Sequence, residues 1–274
     1  MALARRALGV TEVLDFVPKS GQKLLPRCLH SEMRLNAVVD VAYVSATRAV
    51  ASLSGFERAA MLDLFLAHYD GTDAEQFFAD LDEKREVLLV SLGTEIVGFT
   101  TIDVYERDWE SRRIRIIFSG DTVVHRSHWG QQALAFGWIR RLAEISREKS
   151  AVPLYWFLIV KGHRTYKFLP TFAKSFYPHW SQDRTDLKPL ADALAADRFG
   201  EYYNPARGIV EFPESRGHLK SDLVRPTAAE MSRDAVQFFQ RLNPDYERGC
   251  ELVCLCEITV DNMRPLTRRL FGAT

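Results

Sequence analysis

The residues that could do chemistry gather around one strand end. Gly120-Asp121 closes a run of alternating apolar residues, and the chain then passes through residues 122–131 into a helical pattern. Asp121 reads in two ways. It is a turn residue after Gly120, or a partly buried carboxyl lifted toward neutrality and able to take a proton. A strand that turns tightly into a helix leaves backbone N–H groups without helical partners. With the positive end of the helix dipole they make an anion site suited to a pyrophosphate. Gly130 lets a ligand approach the backbone, and Arg126 and His128 add charge or hydrogen bonds. His125 and His128 lack the nearby carboxylate or cysteine that would complete a metal site, so they read as solvated loop histidines and no metal is expected. Lys161, His163, Arg164 and Lys167 cluster after an apolar run, either as grips for an anion or as a solvated helix entrance. Cys250, Cys254 and Cys256 lack zinc-site spacing and read as small buried apolar residues.

These residues need a frame. Phe56, Ala60 and Leu64 recur at helical spacing, giving a core-facing helix over residues 54–69. Thr72 with Glu75 matches a capping box ahead of a short helix carrying Phe77, Phe78 and Leu81. Residues 87–92 and 96–104 flank the Gly93-Thr94 turn as a β-hairpin. Residues 112–124 form a third antiparallel strand with a bulge or break at Gly120. A helix follows over 130–147. Residues 153–160 are continuously apolar, as in a buried central strand. A helix over about 165–176 is kinked or started by Pro170, and Phe168, Phe172 and Phe176 on it are core or the lining of an acyl channel. Further on, the pattern gives a helix at 187–199, a short strand at 208–212, a helix opened by the Thr227/Glu230 capping box, and a strand at 251–260. Residues 1–46 are broken by Pro18, Gly21 and Pro26.

In this order of elements the chain resembles the GNAT superfamily of CoA-dependent N-acyltransferases. Three stretches carry the likeness. One is residues 56–81 running into 87–92 and Glu95-Ile96-Val97-Gly98-Phe99. The second is Gly120-Asp121-Thr122-Val123-Val124-His125-Arg126-Ser127-His128-Trp129-Gly130-Gln131-Gln132-Ala133-Leu134. The third is residues 155–160 with the helix and Phe176 that follow. The resemblance implies an α/β (α+β mixed) fold: a central, mostly antiparallel, splayed sheet flanked by helices. The GNAT-like core would span residues 47–180, with an N-terminal extension at 1–46 and a C-terminal part at 181–274 completing the sheet.

It also implies an acyltransferase that moves an acyl group, acetyl or longer, from acyl-CoA to a primary amine by direct attack in a ternary complex. Pantetheine would pair with backbone near Val123 and Val124, and an N–H near Val124 would hold the oxyanion. Arg126, His128, Gly130, Gln131 and Ala133 would take the pyrophosphate, and Arg164 and Lys167 the 3′-phosphate or an acidic acceptor. The family loop reads Arg or Gln, two residues, Gly, one residue, then Gly or Ala. Aligned on Ala133, those positions here hold His128, Gln131 and Ala133. Asp121 would be the base. The family's frequent tyrosine acid falls near Phe172, with Tyr166 and Tyr177 as substitutes. Two alternatives stay open: an N-acyl amino acid or signalling-lipid synthase drawing on acyl carrier protein, and a non-catalytic thioester-binding module.

Composition bounds the rest. Lys plus Arg and Asp plus Glu both total 36 in 274 residues. A net charge of zero argues against a nucleic-acid partner. No apolar run reaches the ~20 residues of a membrane span, and four cysteines are too few for a disulfide scaffold. A cytoplasmic location is expected.

Overall fold

The apolar runs become neighbouring strands of one sheet in the computed structural model, which describes residues 42–272. The strands are β1 (Tyr43–Ala49), β2 (Glu86–Leu92), β3 (Glu95–Trp109), β4 (Arg112–Val124), β5 (Leu154–Val160), β6 (Tyr203–Asn204), β7 (Ile209–Val210) and β8 (Glu251–Glu257). Their order is β1-β2-β3-β4-β5-β8-β7-β6. β4 and β5 run parallel, and the other neighbours are antiparallel. The fold is mixed α/β, with a large, mostly antiparallel sheet flanked by helices. β5 carries the sequence LYWFLIV because both of its faces are covered. Cys254 and Cys256 of β8 are buried beside it.

The helices are α1 (Gly55–His68), α2 (Ala74–Asp82), α3 (Ala133–Glu148), α4 (Lys188–Phe199), α5 (Asp234–Leu242) and α6 (Pro265–Gly272). Trp138, Leu142 and Ile145 of α3 pack with Ile117, Trp156 and Leu158 on one sheet face. Met61 and Phe65 of α1 and Phe77 of α2 pack with Phe99 and Val123 on the other. Leu190 and Leu194 of α4 extend that second layer over Ile116, Phe118 and Phe157. α1 begins at a complete capping box of Ser54 and Glu57.

Two features of β4 prepare the site. Thr100 pairs with Thr122, but Ile102 pairs with Ser119, so Gly120 and Asp121 together stand opposite Thr101. This is the bulge expected at Gly120, and it resets the alternation so that Phe118 and Val123 share a face. No side chain fits at position 120: a Cβ there would lie 2.5 Å from the Thr101 hydroxyl. Gly120→Ala is therefore expected to lower stability by about 1–3 kcal/mol through overpacking, read from urea midpoints. The second feature is separation. β4 pairs with β5 only from Arg115/Leu154 to Ser119/Leu158, although both strands continue.

Several elements differ from their sequence reading. Thr72 does not cap α2; the carboxylate of Asp73, one residue on, accepts the Gln76 N–H at 2.9 Å and suits the helix dipole better. The helix expected at 130–147 begins at Ala133, because a 3-10 turn over Arg126–His128 and Gly130 at φ +91° must first turn the chain. Residues 165–176 are not one helix. They make turns at His163–Tyr166 and Phe168–Phe172, the second with Pro170 inside its first turn. Thr227 and Glu230 do form a capping box, but it opens only the turn Ala228–Met231, and α5 starts afresh at Asp234. Met231 thus leaves the expected stripe and is exposed. Residues 1–41, including Cys28 and most of the expected N-terminal extension, lie outside the described residues. Among the described residues no helix is long and apolar enough to cross a membrane, and no cluster of metal-ligating side chains occurs.

Candidate active site

Where β4 and β5 part, a cavity opens on each side of the gap. The first, about 360 Å³, holds Asp121, Lys84, Lys161 and Glu251. The second, about 380 Å³, runs along Val123 and Val124 to Gly130 and the first turn of α3. Tyr69, Thr122, Gly162, Thr165 and Leu219 line both, so the two cavities meet at the strand separation.

The first cavity has a charged floor. The bulge turns Asp121 into it, and β8, lying beside β5, brings Glu251 to the same place. Lys161 follows directly from β5, and its ammonium is 3.6 Å from Glu251. Glu251 is only 6% exposed. Burial lifts its carboxyl to about 7, with Lys161 opposing and the charge of Asp121 adding to the rise. Burial raises Asp121 as well, again against Lys161. The floor thus sets two carboxyls against the Lys161 ammonium, with Asp80 beside them and Lys84 near Asp121, and the two carboxyls titrate as a coupled pair. The Tyr69 phenol is raised by burial and by these two carboxylates, so it stays protonated. Lys161 sits 5.5 Å above its ring.

The second cavity offers backbone. The His125 N–H donates to Val97 O at 2.8 Å. Bonded and non-bonded pairs alternate in an antiparallel ladder, so the N–H of Val124 turns away from β3, to the side that β5 has left. The Val124 carbonyl on that side accepts the Trp129 indole N–H at 2.9 Å. At the start of α3, the Ala133 N–H is taken by the Gln131 side chain at 2.6 Å. The next turn of N–H groups belongs to Leu134 and Ala135, which line the cavity. Phe168 lines it too, while Phe172 and Phe176 are buried in the core.

The residues expected to hold a cofactor divide in two. Val123, Val124, His128, Gly130, Gln131, Arg164 and Lys167 all line the second cavity. His128 is held by the Tyr43 hydroxyl at 2.9 Å. Arg164 lies 5.1 Å over the Trp129 ring and bonds Leu223 O and Glu230. Burial lowers Lys167, helped by Arg233. Arg126 does not line the groove. Asp222, 96 residues later, draws its guanidinium into a 2.6 Å ion pair. Ala133 is also outside the lining, packed with Val90 and Val97.

Tyr166 is placed where it cannot act on a ligand. It is 0% exposed, and its hydroxyl donates to Pro178 O at 2.7 Å within the aromatic core. Tyr177 lines neither cavity. Periodicity put Tyr166 on a helix but could not say which way the phenol faced. Lys84, Tyr69 and Glu251 escaped the sequence reading as site residues, and Glu230 reads there only as the capping partner of Thr227. Burial opposes ionisation of Glu230, yet the Thr227 N–H and the nearby Arg164 hold it down at about 2. His163 is buried 3.3 Å from that carboxylate, and burial with Arg164 lowers its pKa, favouring the neutral ring.

No family model matches the sequence, and no curated protein does. Solved structures are similar in part. A conserved protein of unknown function from Enterococcus faecalis V583, described as a probable N-acyltransferase, is 10% identical with a TM-score of 0.38, covering 57% of this chain and 44% of that one. The GNAT family N-acetyltransferase YhbS from Escherichia coli, in complex with CoA, is 14% identical with a TM-score of 0.35, covering 48% and 71%. Escherichia coli ElaA is 16% identical with a TM-score of 0.34, covering 50% and 93%. The chain spans less than half the length of the first of these.

Proposed function

We propose that the protein transfers an acyl group from acyl-CoA to a primary amine. One observation carries this: two cavities of different chemistry meet where β4 and β5 separate, and the pair of buried carboxyls, Asp121 and Glu251, lines one of them. The backbone-lined cavity is the thioester side. Val124 N–H and the first turn of α3 supply neutral donors there, and Arg164 and Lys167 supply charge for phosphate. The charged cavity is the amine side.

In this reading the Asp121/Glu251 floor takes a proton from the bound ammonium. The amine nitrogen then attacks the thioester carbonyl carbon, a C–N bond forms, and the oxygen's charge is held by the Val124 N–H. The C–S bond breaks as the carbonyl re-forms. Tyr69 gives its phenolic proton to the departing sulfur and is reprotonated from the floor. The ammonium loses two protons in all, one to solvent and one, by way of Tyr69, to the thiol.

Calorimetry with acetyl- and longer acyl-CoA, followed by thiol release across an amine panel, tests this. Acyl-CoA that does not bind, with Gly130 intact, overturns the reading, and binding without turnover leaves a thioester-binding module instead. Acyl carrier protein thioesters belong in the same assay as a second donor. Trp129 adds a sharper arm, because its indole N–H occupies the carbonyl with which pantetheine would pair. Trp129→Phe keeps the ring and vacates Val124 O, so acyl-CoA affinity is expected to rise about twofold to tenfold.

A further inference from the structure

We propose that the acceptor is an anionic amine: a small molecule carrying, beside the reacting amino group, a carboxylate that binds Lys84 and Arg216. This rests on the charged cavity being the amine side.

The cavity is polarised. Its floor carries Asp121 and Glu251, which suit an ammonium. Lys84 enters at the bulge itself, its Cε 3.2 Å from the place a Cβ would occupy on Gly120, so a cation stands beside the candidate base. Its ammonium donates to the Asp80 main-chain carbonyl at 2.8 Å and lies 5.8 Å over the Phe118 ring. Neither contact is an ion pair, and hydrogens remain to donate; burial lowers the Lys84 pKa, with Arg198 helping, while the charges of Asp121, Asp80 and Glu83 work to keep it protonated. At the cavity mouth the exposed Arg216 lies 4.6 Å over Phe212 and 5.8 Å over Tyr202, again on neutral partners. Arg198 is different. It stacks 3.9 Å over Phe118 but is already paired with Asp103 at 3.5 Å. Aromatic faces hold these cations in place without neutralising them.

The lining is mixed, with Asp80, Glu83, Asp121 and Glu251 against Lys84, Lys161, Arg198 and Arg216, so a second ammonium placed near Lys84 and Arg216 would meet like charges. An amino group joined to a carboxylate satisfies both ends, its ammonium at the floor and its carboxylate against Lys84, with Arg216 drawing it in. The closeness of Lys84 to Asp121 in the fold favours a short spacing between the two groups, as in an amino acid. A phosphate would present the same charge, so the two are compared directly.

The experiment uses the full chain with acetyl-CoA and a panel of free α- and β-amino acids. Each is paired with its methyl ester and its decarboxylated amine, and β-alanine is set against phosphoethanolamine. Thiol release and thermal shift are both read. The free acids are expected to have KM values about tenfold or more below their esters. That preference should be lost in Lys84→Gln, kept in Lys84→Arg, and weakened in Arg216→Gln, a surface change that spares folding. Phosphoethanolamine outperforming β-alanine assigns the anion as phosphate and overturns the carboxylate. Esters or decarboxylated amines serving as well as the acids, or no acid binding or reacting, overturns the proposal. The thermal shift reads acid binding without CoA, so failure of acyl-CoA to bind overturns only the acyl-transfer reading.

Discussion

Asp121→Asn is expected to lower kcat about 100- to 10,000-fold, with acyl-CoA affinity changed less than about twofold, because the thioester-side donors remain. Glu251→Gln should be nearly as damaging at neutral pH. The two carboxyls share Lys161 and face one cavity, and Glu251 is the one lifted to about 7. A base must be ionised to act. Wild-type kcat/KM should therefore rise as pH increases through about 7 and then level, reporting the floor as a coupled unit. Removing Glu251 removes that ionisation. The limb then follows Asp121 alone, raised by burial but opposed by Lys161 and Lys84, and no longer reports the Glu251 ionisation. A Glu251→Gln profile with its acid limb unmoved would exclude Glu251 from the base. Full activity in Asp121→Asn would exclude the floor altogether. Tyr69→Phe provides the contrast: it should lower kcat while leaving the acid limb in place.

Much of the frame was legible because local patterns wrote it. The apolar run of β5, the helical stripe of α3 and the Gly93-Thr94 hairpin rest on neighbours within a few residues, and so does the bulge at Gly120. Asp121 could be picked out for a related reason, since its position depends on that bulge. The remainder of the floor could not. Lys84 comes from the end of α2, Tyr69 from the end of α1, and Glu251 from the first residue of a strand 130 positions after Asp121. What joins them is strand order, and β8 lying beside β5 is not written in the periodicity of either. At its own position Glu251 reads only as the first residue of a strand. The same limit misplaced Arg126, whose direction is set by Asp222, and Tyr166, which ends a single helical turn with its hydroxyl facing Pro178.

That strand order has a thermodynamic consequence that needs no substrate. Glu251 belongs to a carboxyl at about 4.5 in the unfolded chain and about 7 in the folded one. The fold therefore prefers its neutral form. Its contribution to stability is fully present below about pH 4.5 and is lost as pH rises through 7. The displacement corresponds to about 3 kcal/mol. Burial raises Asp121 in the same direction. Glu251→Gln removes the ionisation while keeping a side chain of similar shape, and Asp121 remains to face Lys161. Urea midpoints at pH 5 and pH 8 should show the variant gaining on wild type by about 2.5 kcal/mol at the higher pH, whatever its offset at pH 5. Groups that titrate independently of Glu251 cancel in this comparison. Parallel pH dependences would mean that Glu251 ionises in the fold as easily as in water, and the acid limb assigned to it would need another owner. A cavity floor that costs stability at the pH where it can take a proton is what the proposed base requires.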